Sequence, residues 1–126
     1  MATVQITKDN FESVIENNDI VLFDFWAEWC GPCKAFGPIF EKASEAHEDI
    51  VFGKIDTEDE RELGALFQVR SIPTIMAFRG QIPVFRQPGL LPEPVLENLI
   101  EQIKGLDMAE VKKHYEEQLA KAGAQA

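Results

Sequence analysis

The stretch "FDFWAEWCGPCKAFGP", residues 23 to 38, contains both cysteines of the 126-residue chain, Cys30 and Cys33. Two thiols separated by two residues can supply half of a metal site, close a small structural disulfide, or exchange electrons with the disulfide of another protein. The stretch also joins an apolar run to a segment with helical spacing. The surroundings of the two cysteines therefore decide the chemistry, and the same junction decides the fold.

Composition is typical of one compact domain, since 45% of the residues are hydrophobic and 27% are charged. No stretch reaches the roughly 18 apolar residues of a membrane span, and the N-terminus lacks a basic segment followed by an apolar run. The net charge of -10, with no long basic run, disfavours nucleic-acid binding. We therefore expect a cytoplasmic monomer with neither nucleic-acid nor membrane partners.

Apolar runs predict the strands of a sheet. Two nearly continuous runs, "DIVLFDFWA" and "DIVFGKID", are typical of strands covered on both faces. Further strands are predicted in "SIPTIMAF" and "IPVFR", with a short one near Val4. Pro83 lacks the N–H that a central strand needs, so its strand should lie at a sheet edge.

Helical spacing separates these strands. Thr7 is a candidate cap for a first helix, a second helix follows the cysteines, a third lies around residues 59–67, and a fourth stops at Gly105. Strands that alternate with helices in this way predict an α/β fold with a central mixed β-sheet flanked by helices on both faces.

Residues 106–126 are predicted to form an added amphipathic helix after a domain of residues 1–105. Asp107 and Glu110 have capping-box spacing, and an apolar stripe follows along one helix face: Met108, Val111, Tyr115 and Leu119. The helix could pack on the domain, bind a partner, or pair with a second copy, and packing on the domain is favoured. The final "AKAGAQA" is expected to be frayed.

The zinc interpretation of the cysteines is weak. Cys33 and His47 have the spacing of the first half of a two-cysteine, two-histidine site, but the other histidine, His114, lies far along the chain. A closed tetrahedral site would lack ligands, so no metal is expected. A structural disulfide would close only a very short loop. A C-x-x-C at a strand-to-helix junction therefore favours redox chemistry.

The junction also predicts different roles for the two thiols. Cys30 should lie at the positive end of a helix dipole, over free backbone N–H groups, which favours its thiolate. Cys33, one turn on and more enclosed, should resolve the mixed disulfide. Pro32 costs no hydrogen bond at an early helical position, and neither Gly31 nor Pro32 adds charge, so the pair should favour reduction of its substrate.

The segments "VLFDFWAEWCGPCK", "KID" and "SIPT" together resemble the thioredoxin family over about residues 4 to 104. The resemblance implies the thioredoxin fold and reduction of protein disulfides by dithiol–disulfide exchange. It implies no cofactor beyond the redox-active pair. It also implies disulfide-containing protein substrates, and a thioredoxin reductase that recharges the protein.

The resemblance also implies roles for three residues away from the dithiol. Asp24 matches the family's buried acid beneath the second cysteine, where it would accept the proton of Cys33, and Lys54 matches the neighbouring lysine that tunes it. The alternative is a buried ion pair without function, but such pairs seldom add net stability. Pro73 matches the family's cis-proline, which would bring the backbone of the preceding residue beside the dithiol.

A docking face for substrates is expected around Cys30. Its members would be Trp29, Gly31, Pro32, Ile72 and Gly89. The backbone of Ile72 could pair with an extended substrate segment through main-chain hydrogen bonds. For Trp29 the alternative is ordinary core packing. A second class of function, a binding or chaperone module without turnover, would use the same apolar face and the tail but would not need the redox set.

Overall fold

The computed structural model describes residues 2–125. The strands of this part of the chain are β1 (Val4–Gln5), β2 (Ile20–Trp26), β3 (Val51–Asp56), β4 (Thr74–Arg79) and β5 (Ile82–Pro88). The helices are α1 (Phe11–Asn17), α2 (Gly31–Ala46), α3 (Arg61–Leu66), α4 (Glu93–Lys104) and α5 (Met108–Gln125). The predicted alternation of strands and helices is confirmed.

The strands form one mixed sheet in the order β1-β3-β2-β4-β5. β3 is parallel to both β1 and β2, whereas β4 is antiparallel to β2 and to β5. β5 lies at the edge, as Pro83 predicted. Gly80 and Gln81 connect β4 to β5, and both have positive φ, as tight hairpin turns require.

Two hydrophobic clusters cover the two faces of the sheet. Alternation along β2 places Leu22 on the face that packs against α2 and α4, and Phe23 and Phe25 on the face that packs against α1 and α3. β2 is buried along nearly its whole length, as its continuous apolar run predicted. Asp24 shares the alternation of Leu22 and therefore lies on the α2 face.

The prediction that Thr7 caps α1 is wrong. The N-cap is Asn10, and Thr7 belongs to the turn before the helix, where its hydroxyl accepts a hydrogen bond from Asp9 N at 3.2 Å. The Asn10 side chain accepts from Thr7 N at 2.7 Å. Thr and Asn side chains both bond to nearby backbone groups, so the turn moves the helix start by three residues.

The tail forms the expected helix after a short connection. Asp107 Oδ1 accepts hydrogen bonds from Ala109 N at 3.1 Å and from Glu110 N at 3.4 Å, so Asp107 caps α5. Three stripe residues are half-buried, whereas Leu119 is 53% exposed. The backbone is helical to Gln125. Ala126 lies outside the described residues, and fraying of the end stays a prediction.

No helix within residues 2–125 combines the length and apolarity that crossing a bilayer requires.

Deletion of residues 106–126 should lower the free energy of unfolding by about 1 to 2 kcal/mol, because a few half-buried side chains such as Tyr115 lose contact with the domain. Urea denaturation measures the change. Tyr115→Ser should reproduce part of the loss, and Leu119→Ser, at an exposed position of the same stripe, should be nearly neutral. Truncation that leaves stability unchanged but abolishes reduction by the cognate reductase would make the tail a docking element instead.

Candidate active site

The two cysteines lie where β2 passes into α2. Cys30 is the N-cap of α2, and its Sγ accepts a hydrogen bond from Cys33 N at 3.2 Å. The two residues form a disulfide, with their Cα atoms 5.2 Å apart. Pro32 occupies the first turn of the helix, where its missing N–H costs no hydrogen bond. The predicted strand-to-helix junction is therefore present, with Cys30 at the helix N-terminus.

Both sulfur-bearing residues are enclosed in this disulfide form. Cys30 is 4% exposed and Cys33 is 3% exposed, and they form a small cluster with Ala27. Trp26 and Ile72 pack against this cluster. In the disulfide form the two exposures are nearly equal, so the expectation that Cys33 is the more enclosed thiol stays a prediction for the reduced protein. Position on the helix, and not burial, distinguishes them.

Three loops meet beside the disulfide. The Ile72–Pro73 peptide bond is cis, and Ile72 O lies 3.7 Å from Cys30 Sγ. Gly89 N donates a hydrogen bond to Pro73 O at 2.8 Å, and the φ of Gly89 is +91°, a conformation that favours glycine. Gly31 and Pro32 are exposed on the same rim. Ile72 thus lies beside Cys30 and Gly89 is hydrogen-bonded to the adjacent Pro73, while the role of these residues in docking stays a prediction.

Asp24 and Lys54 are neighbours across the β2–β3 register. Asp24 is fully buried, and neither carboxyl oxygen has a hydrogen-bond partner within the described residues. Burial raises the pKa of Asp24 to about 7, and the charge of Lys54 opposes this increase. Lys54 Nζ lies 4.8 Å from the centre of the Trp26 ring. The strand that leads to Cys30 therefore carries a buried acid that can change its protonation state near neutral pH.

Trp29 is 69% exposed, which excludes core packing for this residue. Its Nε1 donates a hydrogen bond to Glu58 Oε1 at 2.7 Å, and Arg61 Nη2 lies 3.2 Å from Glu58 Oε2. One carboxylate therefore connects the exposed indole to the start of α3. Sequence reasoning missed this contact, because nothing in the spacing of residues 29 and 58 indicates that they meet.

His47 lies at the other end of α2, away from the cysteines. Its Nε2 is 2.7 Å from Glu97 Oε2, and Lys104 Nζ is 3.4 Å from its Nδ1. Residues 2–125 contain no group of three or more His, Cys, Asp or Glu side chains placed to hold a metal ion. His47 instead connects the C-terminal end of α2 to α4.

A C-x-x-C disulfide at a helix N-terminus, beside a cis X-Pro bond and after a strand that buries an acid, is the arrangement of a dithiol–disulfide exchange protein. Residues 2–102 match the sequence model of the family named Thioredoxin. The chain belongs to the thioredoxin family and is a thiol–disulfide oxidoreductase with protein-disulfide reductase activity.

Individual proteins that are similar to this chain are also thioredoxins by name. A Streptomyces coelicolor protein, assigned to the thioredoxins as thioredoxin 2, is 56% identical over 122 residues, which cover 97% of this chain and 91% of the relative. That match therefore extends into α5. A bifunctional thioredoxin reductase/thioredoxin from Mycobacterium leprae is 43% identical over 89 residues, covering 69% of this chain and 19% of that protein. The solved structure of a mutant thioredoxin from Halobacterium salinarum has a TM-score of 0.77 and 33% identity, covering 82% of this chain and 92% of that one.

Proposed function

We propose that Cys30 is the attacking nucleophile of this reductase, Cys33 the resolving thiol, and Asp24 the proton acceptor for Cys33. The observation that carries the assignment of Cys30 is its hydrogen bond as helix N-cap, with Cys33 N donating to its Sγ at 3.2 Å. A backbone N–H and the positive end of the α2 dipole both stabilise a negative sulfur at this position.

In the first step the Cys30 thiolate attacks one sulfur of the substrate disulfide. A bond forms between Cys30 Sγ and that sulfur, and the substrate S–S bond breaks. The second substrate sulfur leaves with the electron pair and takes a proton from solvent. The product is a mixed disulfide on Cys30, with Cys33 still a thiol.

In the second step Cys33 gives its proton to Asp24, directly or through a water, and its thiolate attacks Cys30 Sγ. The substrate leaves as a thiolate, and the Cys30–Cys33 disulfide remains, which is the form that the structure shows. Two electrons have then passed to the substrate. A carboxyl whose pKa is about 7 can accept this proton at neutral pH, and Lys54 stabilises its ionised form.

Substrates dock on the face around Cys30, which consists of Trp29, Gly31, Pro32, Ile72 and Gly89. Ile72 O lies 3.7 Å from Cys30 Sγ, so an extended segment that pairs with the Ile72 backbone carries its disulfide to the nucleophile. Main-chain pairing tolerates many side chains. Trp29 supplies a broad apolar surface at the rim, where it is exposed. Disulfide-containing proteins are therefore the substrates.

A thioredoxin reductase reduces the Cys30–Cys33 disulfide after each turnover. The protein acts as an electron carrier, and it does so as a monomer in the cytoplasm. The Mycobacterium leprae relative, in which a thioredoxin is joined to a thioredoxin reductase, supports this partner. The exchange reaction needs no group beyond the two sulfurs, so we propose no further cofactor. Reduction of insulin disulfides with dithiothreitol as electron donor distinguishes this function from a binding module without turnover.

Labelling of the reduced protein tests the assignment of the nucleophile. At pH 7 iodoacetamide should modify Cys30 almost exclusively, because only this sulfur is at the N-cap, where it accepts a backbone N–H. Mass spectrometry of the digested protein locates the adduct, and unfolded protein is the control in which both thiols should react alike. Preferential labelling of Cys33 in the folded protein would reverse the two roles.

A further inference from the structure

A groove of about 790 Å³ runs beside the disulfide on the side of α3. Its lining includes Trp29 and Glu58, residues of α3, and the segment from Val69 to Ile72. Ile72 contributes the carbonyl oxygen that lies 3.7 Å from Cys30 Sγ. The groove therefore adjoins the disulfide through Ile72 and through Trp29, the residue before Cys30.

The part of the lining around Trp29 carries no net charge. The Glu58 carboxylate accepts a hydrogen bond from the indole and pairs with Arg61, so the two charges offset each other. The indole is also held in place by this bond, although it is 69% exposed. A substrate would therefore meet an ordered apolar indole here, and no net charge.

Arg70 adds a positive charge to the lining of the groove. Arg70 is exposed, and among residues 2–125 it makes neither an ion pair nor a side-chain hydrogen bond. The chain as a whole carries a net charge of -10, and within the groove lining Arg61 pairs with Glu58, so Arg70 is the cation of this lining that no carboxylate offsets among the described residues. At physiological salt the Debye length is about 8 Å, so a group in the groove senses Arg70 more strongly than the distributed acidic surface.

We propose that this groove favours disulfide substrates with an acidic side chain two or three residues from the cysteine that Cys30 attacks, and that Arg70 is the residue that selects them. The inference rests on the proposed role of Cys30. Ile72 and Arg70 lie two positions apart in the groove lining, so a substrate that pairs with the Ile72 backbone brings a side chain two or three residues from its cysteine near Arg70. An exposed ion pair of this kind changes a rate constant by a factor of about two to five.

Three peptide disulfides test the proposal. They share one sequence and differ only in having Glu, Gln or Lys two residues from the cysteine on each side. The fully reduced wild-type chain should reduce them in the order Glu, Gln, Lys, with about a fivefold difference in second-order rate constant between the first and the last. In about 1 M salt, where the Debye length is about 3 Å, the difference should nearly vanish.

Variants of Arg70 then assign the effect to one residue. Arg70→Gln should remove the preference, and Arg70→Glu should reverse it. Lys113→Glu, an equal change of charge at an exposed position of α5, should preserve the wild-type order and so exclude an effect of net charge. Reduction of bis(2-hydroxyethyl) disulfide, a neutral substrate too small to reach Arg70, should be the same in all four proteins.

The outcomes separate this inference from the proposed function. Equal rates for the three peptides, or an order that survives Arg70→Gln, would overturn the role of Arg70 while disulfide exchange through Cys30 stands. A wild-type protein that cannot reduce the neutral disulfide would overturn the exchange mechanism, and the substrate preference with it.

Discussion

Cys33→Ser should convert the protein into a covalent trap that holds its substrate on Cys30. Attack by Cys30 does not require the second thiol, so the mixed disulfide forms, but its release depends on external reductant. The lost step is intramolecular, and a neighbouring thiol has a high effective concentration. Turnover of insulin should therefore fall about a hundredfold or more, and non-reducing electrophoresis should show a protein–substrate adduct.

Cys30→Ser is the matched control for this experiment. The hydroxyl preserves an N-cap for α2, so the helix should persist, but no adduct should form because serine does not attack a disulfide. Adduct formation by Cys30→Ser and not by Cys33→Ser would exchange the roles of the two cysteines. If neither variant forms an adduct with any disulfide protein, the exchange mechanism is wrong.

Asp24→Asn should slow disulfide reduction at pH 7 to 8 by about tenfold, because Cys33 loses its proton acceptor. In the wild type the fraction of ionised Asp24 rises between pH 6 and pH 8, since its pKa is about 7. The ratio of wild-type to variant rate should therefore rise with pH over this range. Asp56→Asn, at a half-buried position on the next strand, is the control and should leave the profile unchanged. A ratio that stays at one from pH 6 to 8 would remove Asp24 from the mechanism.

The same pKa predicts how stability depends on pH. Burial raises the pKa of Asp24 in the folded state from 3.8 to about 7, so the folded protein holds this proton more tightly than the unfolded chain. The stabilisation of the folded state that results from this tighter binding is complete below pH 3.8 and is lost as the pH rises through about 7. Its upper limit is about 4 kcal/mol. Asp24→Asn should therefore be more stable than the wild type at pH 8, and this advantage should shrink as the pH falls. Urea denaturation at several pH values measures it, and an advantage that does not change with pH would contradict the burial argument.

The residues that the sequence identified are those that break a local rule. Asp24 and Lys54 interrupt apolar strands, and Pro73 opens a strand, so each is visible without any knowledge of its neighbours. The two cysteines can likewise be recognised from the sequence alone, because they are the only ones in the chain and are separated by two residues. Family resemblance then supplied roles for these positions. The architecture followed from periodicity, because β2 and β3 are buried on both faces and show nearly continuous apolar runs.

Contacts between distant surface residues could not be predicted in the same way. Trp29, Glu58 and Arg61 meet only because α3 begins beside the end of β2, and long polar side chains on a surface carry no periodic signal. The prediction of the N-cap of α1 was wrong for a related reason. Thr7 and Asn10 are both suitable cap residues, and the choice depends on a turn whose hydrogen bonds link the two.

The central position of β2 has a consequence for the dynamics of the buried acid. β2 lies between β3 and β4, and Asp24 faces Lys54 on one side and Ile75 on the other. Backbone amides in such a strand exchange with solvent only when the whole domain opens, whereas loops open at much lower cost. If Asp24 accepts the Cys33 proton at each turnover, as proposed, this proton has to be exchanged within the folded molecule. Deuterium uptake along β2 should follow global unfolding, while protonation of Asp24 proceeds on a far shorter timescale.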